Sequence, residues 1–224
     1  MAAAPQAHVI VFPGSNGERD LSEALQRVGF AVAYHPASEP LPATCQLAAL
    51  PGGFSYGDYW RAGTLASQAP AVRAIPSLVA GGGLVIGICN GFQILVEAGL
   101  LPGALTDNDP PGFLHRWVTL RSDALHCPWT TGVAAGTLLR MPMAHAEGNY
   151  VAPTSPPAQG LRAPFRYTEN PNGSDADVAA LVDSTGHILG IMPHPERASE
   201  PDLGCTDGTR IFAAAYTYLQ GVDA

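Results

Sequence analysis

Three short stretches carry residue types that could act together on a carbonyl carbon. In LVIGICNGFQ, residues 84–93, an apolar run leads to Cys89, with Gly87 and Gly91 two positions to either side. Phe92, Leu95 and Val96 then recur at helical spacing. A strand that turns sharply into a helix around one reactive residue is a nucleophile elbow, here with Cys in place of Ser. The turn holds the nucleophile in strained backbone, so its neighbours must be small for strand and helix to pack. At the helix start, the dipole and free N–H groups suit a thiolate, and the N–H of Asn90 points at a developing oxyanion. Read alone, the stretch also fits a buried structural cysteine.

A thiolate needs an acid–base partner and a group to orient it. Of the seven histidines, His194 stands out in His194-Pro195-Glu196, just after the apolar run Ile188 to Met192. In extended backbone, residues i and i+2 project to one side, so Glu196 could reach the imidazole, with Pro195 stiffening the geometry. This gives a Cys89/His194/Glu196 triad. Without the elbow, the tripeptide reads as an exposed turn. The third stretch, LPGGFSYGD at residues 50–58, places a double glycine at a strand end. It could turn the N–H of Gly53 into the site as a second oxyanion donor, or be an ordinary glycine turn.

The elements that would position these residues alternate in type. His8 to Phe12, Phe30 to Tyr34, Gln46 to Leu50 and Leu84 to Ile88 read as short buried strands. Leu21, Leu25 and Val28 mark a helix stopped by Gly29, and Gly99 would cap the helix after the elbow. Such alternation predicts an α/β fold with an open, mostly parallel sheet and helices on both faces, whose ligands sit at the carboxyl ends of the strands. The second half reads as an added antiparallel hairpin region. Strands are expected over Trp117 to Leu120, Gly136 to Met141 and Val178 to Met192, the last broken at Asp183 to Gly186. Asp107 to Gly112 and Ala152 to Pro164 read as proline-rich surface loops, and Arg210 to Leu219 as a closing amphipathic helix.

Composition bounds the chemistry. The 224 residues suit one domain over 1–224, and all 11 basic residues are Arg. With no lysine there is no Schiff base and no P-loop lysine. A net charge of −8 without a basic run argues against nucleic-acid binding. Charged residues are only 13% of the chain, as a large protein interface would need, although a compositional bias of the source gives the same figure. Cys45, Cys89, Cys127 and Cys205 show no metal-ligand spacing, the N-terminal run is no signal peptide, and nothing is long enough to span a bilayer. A cytoplasmic protein with reduced thiols and no metal site is expected.

Together, Cys89 in GICNGFQ, the late His194-Pro-Glu196 and the PGG loop resemble the class I, or triad, glutamine amidotransferases. More narrowly, the blocks PGSN (13–16), PGGFSYGDYWRAG (51–63), GICNGFQILVEAGLLPGAL (87–105), AHAEGNY (144–150), NPNGS (170–174) and GIMPHPERA (190–198) are similar to the glutaminase subunits of phosphoribosylformylglycinamidine synthases. The resemblance implies a flavodoxin-like fold and hydrolysis of L-glutamine to glutamate. The ammonia would pass to a synthetase large subunit that converts formylglycinamide ribonucleotide to formylglycinamidine ribonucleotide in purine biosynthesis. A small accessory subunit is expected in the complex, and ATP and Mg belong to the synthetase, leaving this chain without a cofactor. Cys89 would be the nucleophile, His194 the acid and base, and Glu196 its orienter. The N–H groups of Gly53 and Asn90 would form the oxyanion hole, and Gln93 would help hold glutamine. His145, Glu147 and Asn149 match a block with no derived role, for which a structural or partner-facing place is expected. Gly17 stands where relatives often carry Cys, and Ala146 where Gly is common.

Three other readings compete. Cysteine hydrolases and stress proteins of the PfpI or DJ-1 type use a similar elbow but place His directly after the Cys, where this chain has Asn90. A silent binding subunit would not need the triad, and an amidotransferase of another pathway would lack GGFSYGDY.

Overall fold

The apolar runs of the first half become one side of a sheet. Among the residues the computed structural model describes, 3–154 and 161–221, these are β1 (Gln6–Val11), β2 (Ala31–Pro36), β3 (Leu47–Leu50) and β4 (Leu84–Ile88). Every residue of β3 and β4 is buried, as strands covered on both faces require. The helices are α1 (Glu18–Val28), α2 (Pro70–Arg73), α3 (Ile75–Ala80), α4 (Asn90–Glu97) and α5 (Thr209–Leu219). Helix α1 carries Glu18 and Asp20 in its first turn and Arg27 in its last, which complements the helix dipole, and Gly29 stops it at φ 117°.

The second half supplies β5 (Ala104–Thr106), β6 (Leu114–Ser122), β7 (Leu138–His145), β8 (Asn149–Val151), β9 (Phe165–Tyr167), β10 (Val178–Val182) and β11 (Ile188–Ile191). Nine strands form one sheet in the order β2-β1-β3-β4-β11-β10-β9-β6-β7, while β5 and β8 pair separately. From β2 to β11 the neighbours are parallel, and from β11 to β7 they are antiparallel. Strand β1 steps to β2 in one direction across the sheet, and β3 to β4 in the other. Right-handed crossovers therefore put α1 and the α2–α3 pair on opposite faces. Helix α5 packs back on α1.

Glycines set the spacing at the centre. A Cβ on Gly87 would come within 2.5 Å of the Gly91 carbonyl oxygen, and one on Gly91 would overlap the Leu50 carbonyl oxygen. No side chain fits at either position, so the small neighbours expected of an elbow are required by contact between α4 and strands β3 and β4.

The antiparallel half is longer than its sequence pattern suggests. Strands β6 and β7 pair from Leu114↔His145 to Arg121↔Leu138, but β6 meets β9 only over Leu120 to Ser122. The Leu114 end of this hairpin therefore extends past β9, with Met141, Met143 and His145 of β7 buried against the rest of the molecule. Its β7 side reaches the ends of the central strands, where the Pro142 carbonyl accepts the His194 N–H at 2.8 Å. Asp107 to Gly112 is a surface loop in which only Asn108 turns inward, at 1% exposure, and in the described part of the second stretch Ala163 is buried at 3%. Residues 155–160 of the second stretch lie outside the described residues. Among the described residues, no helix is long and apolar enough to cross a membrane.

Candidate active site

Strand β4 delivers Cys89 at its carboxyl end with φ 52° and ψ −106°, a conformation that costs a non-glycine residue strain. The surroundings hold it there. The Cys89 N–H donates to the Ile191 carbonyl at 2.8 Å, and its own carbonyl accepts the Phe92 and Gln93 N–H groups of α4. Asn90 is the first residue of α4, so its N–H has no acceptor within the helix. The thiol itself is directed at the Ala144 carbonyl, at 3.7 Å.

Strand β11 ends at Ile191 and feeds His194. Its Nδ1 is 2.6 Å from Glu196 Oε1, with both residues about 2% exposed. The pairing expected from sequence is present, but not in extended backbone. Pro195 to Ala198 form a 3-10 turn, and Glu196 folds back on the imidazole from within it. Burial works against a charge on His194, but the Glu196 carboxylate and the nearby Cys89 thiol outweigh it and raise the imidazole's proton affinity above its ordinary value. Among the described residues, the Nε2 edge has no hydrogen-bond partner, and it is the edge left for the thiol and its substrate.

The PGG loop closes over this pair. A Cβ on Gly52 would lie 3.0 Å from His194 Cε1 and 3.6 Å from Cys89 Cβ, so only glycine leaves the site open. Gly53 faces Ser15 across a single antiparallel bridge whose bonds are made by the flanking residues, Phe54 N–H to Gly14 and Asn16 N–H to Gly52. That bridge leaves the Gly53 N–H unspent. Cys89, Gly53, Gln93, His194, His145 and the carboxylates Asp58 and Glu147 all line one cavity of about 220 Å³.

Gln93 is placed at the cavity, with each polar atom already bonded once. Nε2 donates to the Glu147 carbonyl at 2.7 Å, and Oε1 accepts from Asn90 Nδ2 at 2.9 Å. It braces the loop after β7 against α4, and its second Nε2 hydrogen and second Oε1 lone pair are what a ligand could use. The Asn90 side chain continues the network to Asp58 Oδ1 at 3.2 Å and to the Ser55 N–H at 3.1 Å.

Two groups take cavity places that the sequence does not assign them, Asp58 with no expected role and His145, with Glu147, in place of a purely structural or partner-facing one. Asp58 sits at φ 51° in a turn where Tyr56 and Trp60 are also left-handed. Burial, then repulsion from Glu147, pushes its carboxyl up to about 6, against the pull of the Asn90 hydrogen bond. Its ordinary value is 3.8. Asp58 is protonated in folded and unfolded chains below that value, whereas above about 6 both are charged and the folded state bears the whole cost. Asp58→Asn is therefore expected to raise Tm at pH 7.5, with the gain vanishing near pH 4. Partial exposure screens the cost, so the gain is small, on the order of 1–2 °C; melting curves across pH measure it, and a pH-independent shift would contradict this origin.

The other is His145, 3% exposed at the end of β7. Burial first, and then His194, pushes its imidazole down to about 3, so it is neutral at working pH. Asn149, from the same block, is tied into the scaffold through its carbonyl, which accepts from Thr106 Oγ1 at 3.3 Å. Among the described residues, no cluster of three or more His, Cys, Asp or Glu is placed to hold a metal ion.

A thiol on an elbow, an imidazole bound to a buried carboxylate and backbone N–H groups around one cavity, at the carboxyl ends of parallel strands, define the class of the triad glutamine amidotransferases. Residues 4–218 match the family model of the CobB/CobQ-like glutamine amidotransferase domain. The chain belongs to the PurQ family of phosphoribosylformylglycinamidine synthase subunits. It is 44% identical to that subunit of Rhodopseudomonas palustris strain HaA2, with 95% of this chain and 97% of the relative covered, and 42% identical to that of Ruegeria pomeroyi, with 93% and 96% covered. A chain in the structure of PurLQS from Thermotoga maritima superposes with TM-score 0.91 at 40% identity, covering 97% of this chain and all of that one. A glutamine amidotransferase from Methylobacillus flagellatus shares the fold at TM-score 0.57 and 18% identity, with 99% of this chain and 96% of that one covered.

Proposed function

We infer that this chain is the glutaminase subunit of a phosphoribosylformylglycinamidine synthase, acting through Cys89, His194 and Glu196. The observation that carries the reading is the buried 2.6 Å His194–Glu196 pair at the cavity that holds the Cys89 elbow, in a chain so close to PurQ relatives. Cys89 sulfur attacks the carboxamide carbon of L-glutamine, and the N–H groups of Asn90 and Gly53 receive the oxyanion. His194, protonated and oriented by Glu196, gives its Nε2 proton to the nitrogen as the C–N bond breaks, leaving a thioester and ammonia. The imidazole then takes a proton from water, whose oxygen attacks the thioester, and glutamate departs. None of these steps uses a cofactor in this chain.

The ammonia passes to a synthetase large subunit, which binds ATP and Mg and makes formylglycinamidine ribonucleotide, with a small accessory subunit in the complex. The chain acts in the cytoplasm. Mixing it with that synthetase, the accessory subunit, ATP and formylglycinamide ribonucleotide tests the reading. Glutamine should support product formation, and glutamine hydrolysis by the lone chain should be at least about tenfold slower than in the complex. A synthetase that stays dependent on added ammonium salt in the presence of this chain would refute it.

A further inference from the structure

A neutral histidine in the cavity wall deepens the proposed glutaminase reading, and its role rests on that reading. His145 is tied by Asn108, whose side chain has no freedom of role. The two N–H groups of Asn108 donate to the carbonyls of Gly112 and His145, at 2.9 and 2.8 Å, which fixes the amide's orientation. Its oxygen accepts the Gly148 N–H at 3.2 Å and faces His145 Nδ1 at 3.1 Å. An amide oxygen only accepts, so Nδ1 carries the proton. The imidazole is neutral, and Nε2 is left with a lone pair. That atom is buried, and nothing among the described residues donates to it. Such an acceptor persists where a ligand or reactant supplies the missing donor.

The cavity identifies the donor. His145 follows Ala144, whose carbonyl faces the Cys89 thiol, and it lines the same space as Cys89 and His194. A carboxamide presents two unlike ends there. Its oxygen belongs with the N–H donors of Gly53 and Asn90, and a lone pair repels it. Its nitrogen carries two hydrogens and, as ammonia, three. We propose that His145 Nε2 accepts a hydrogen bond from the carboxamide nitrogen of glutamine and from the ammonia released, so that it selects amide over carboxylate or ester in the γ position, with Asn108 as the positioning residue that fixes its tautomer. Being neutral, His145 has no proton to give the ammonia and leaves it nucleophilic.

The test compares two substrates in the assembled complex, glutamine and L-glutamic acid γ-methyl ester, which has no N–H at the leaving atom. In His145→Leu, kcat/KM for glutamine should fall roughly ten- to a hundredfold, as for loss of one buried hydrogen bond in the reacting complex. The ester should change less than about threefold. Synthesis from ammonium chloride should be unchanged, showing that the complex is intact. Should His145→Leu not assemble, Asn108→Ala takes its place, since it frees the imidazole to hold its proton on Nε2; the same selective loss for glutamine is expected. Parallel losses for amide and ester in the variant that assembles would overturn the proposal and leave His145 a packing residue. A wild-type complex that turns over neither substrate would instead overturn the glutaminase reading beneath it.

Discussion

Cys89→Ala is expected to abolish glutamine-dependent synthesis while leaving synthesis from ammonium salt intact. The loss in glutamine turnover should reach roughly 10⁴-fold or more, as for removal of a covalent nucleophile from a triad. No other thiol can substitute. Cys45 is buried at the foot of β3, where burial pushes its thiol up to about 12, and neither Cys127 nor Cys205 lines the cavity. Cys89→Ser should be nearly as inactive, because the elbow is built around a thiolate and a hydroxyl at the same position is a far weaker nucleophile at neutral pH. Near wild-type turnover in either variant would sink the covalent mechanism. The ammonium-supported rate guards against the trivial outcome, a complex that fails to assemble.

Glu196→Gln should cost less than loss of Cys89, but still on the order of 10²–10⁴-fold in kcat. Glu196 touches no reacting atom. Its carboxylate accepts the Nδ1 proton of His194 and thereby turns Nε2 toward Cys89, and it offsets the burial that would otherwise strip the imidazole of charge. A glutamine at 196 can present its NH₂ group to Nδ1, which then accepts, and the proton moves to the wrong edge of the ring. The imidazole also loses its counter-charge, so its proton affinity drops and the variant should lose its protonated acid at a lower pH than the wild type. Steady-state rates in the complex across pH measure both effects. A loss equal to that of Cys89→Ala, or a profile unmoved by the substitution, would contradict the assigned role.

The parts of the site that are legible in the sequence are those whose geometry is local. The Gly87-Ile88-Cys89-Asn90-Gly91 spacing encodes the elbow directly, because contacts of Gly87 with Gly91 and of Gly91 with Leu50 exclude any Cβ. His194 and Glu196 read as a pair from two-residue spacing, although a 3-10 turn, rather than an extended strand, brings them together. Gln93 belongs at the cavity as expected, but its commitment to Asn90 and Glu147 depends on a loop more than fifty residues away. Asp58 escapes a sequence reading because its burial follows from a run of left-handed residues that no periodicity signals. Its place in the GGFSYGDY block is the one available hint. His145 is visible as a histidine in AHAEGNY, but nothing local says that the β6–β7 hairpin carries it to Cys89.

Among the strands, apolar runs of four or more residues are recoverable from sequence and the three-residue ones are not. Strands β5, β8 and β9 have three residues each, too few to show alternation. Helices α2 and α3 are one or two turns long, too short to show a helical period, and each has proline in its first turn, where it marks a helix start.

The β6–β7 hairpin acts as a ruler. Its ladder sets how many residues separate the sheet from the thiol, and pairing Leu114 with His145 fixes which side of β7 faces inward. Side chains alternate along a strand, so a slip of one residue would turn the His145 imidazole to the opposite face of β7. Length variation over Ala134 to Gly136, the exposed end of the connection that also buries Trp129, leaves this count untouched. The same insertion placed between Leu138 and Met143 would recalibrate the distance to Cys89 without altering a single residue of the triad.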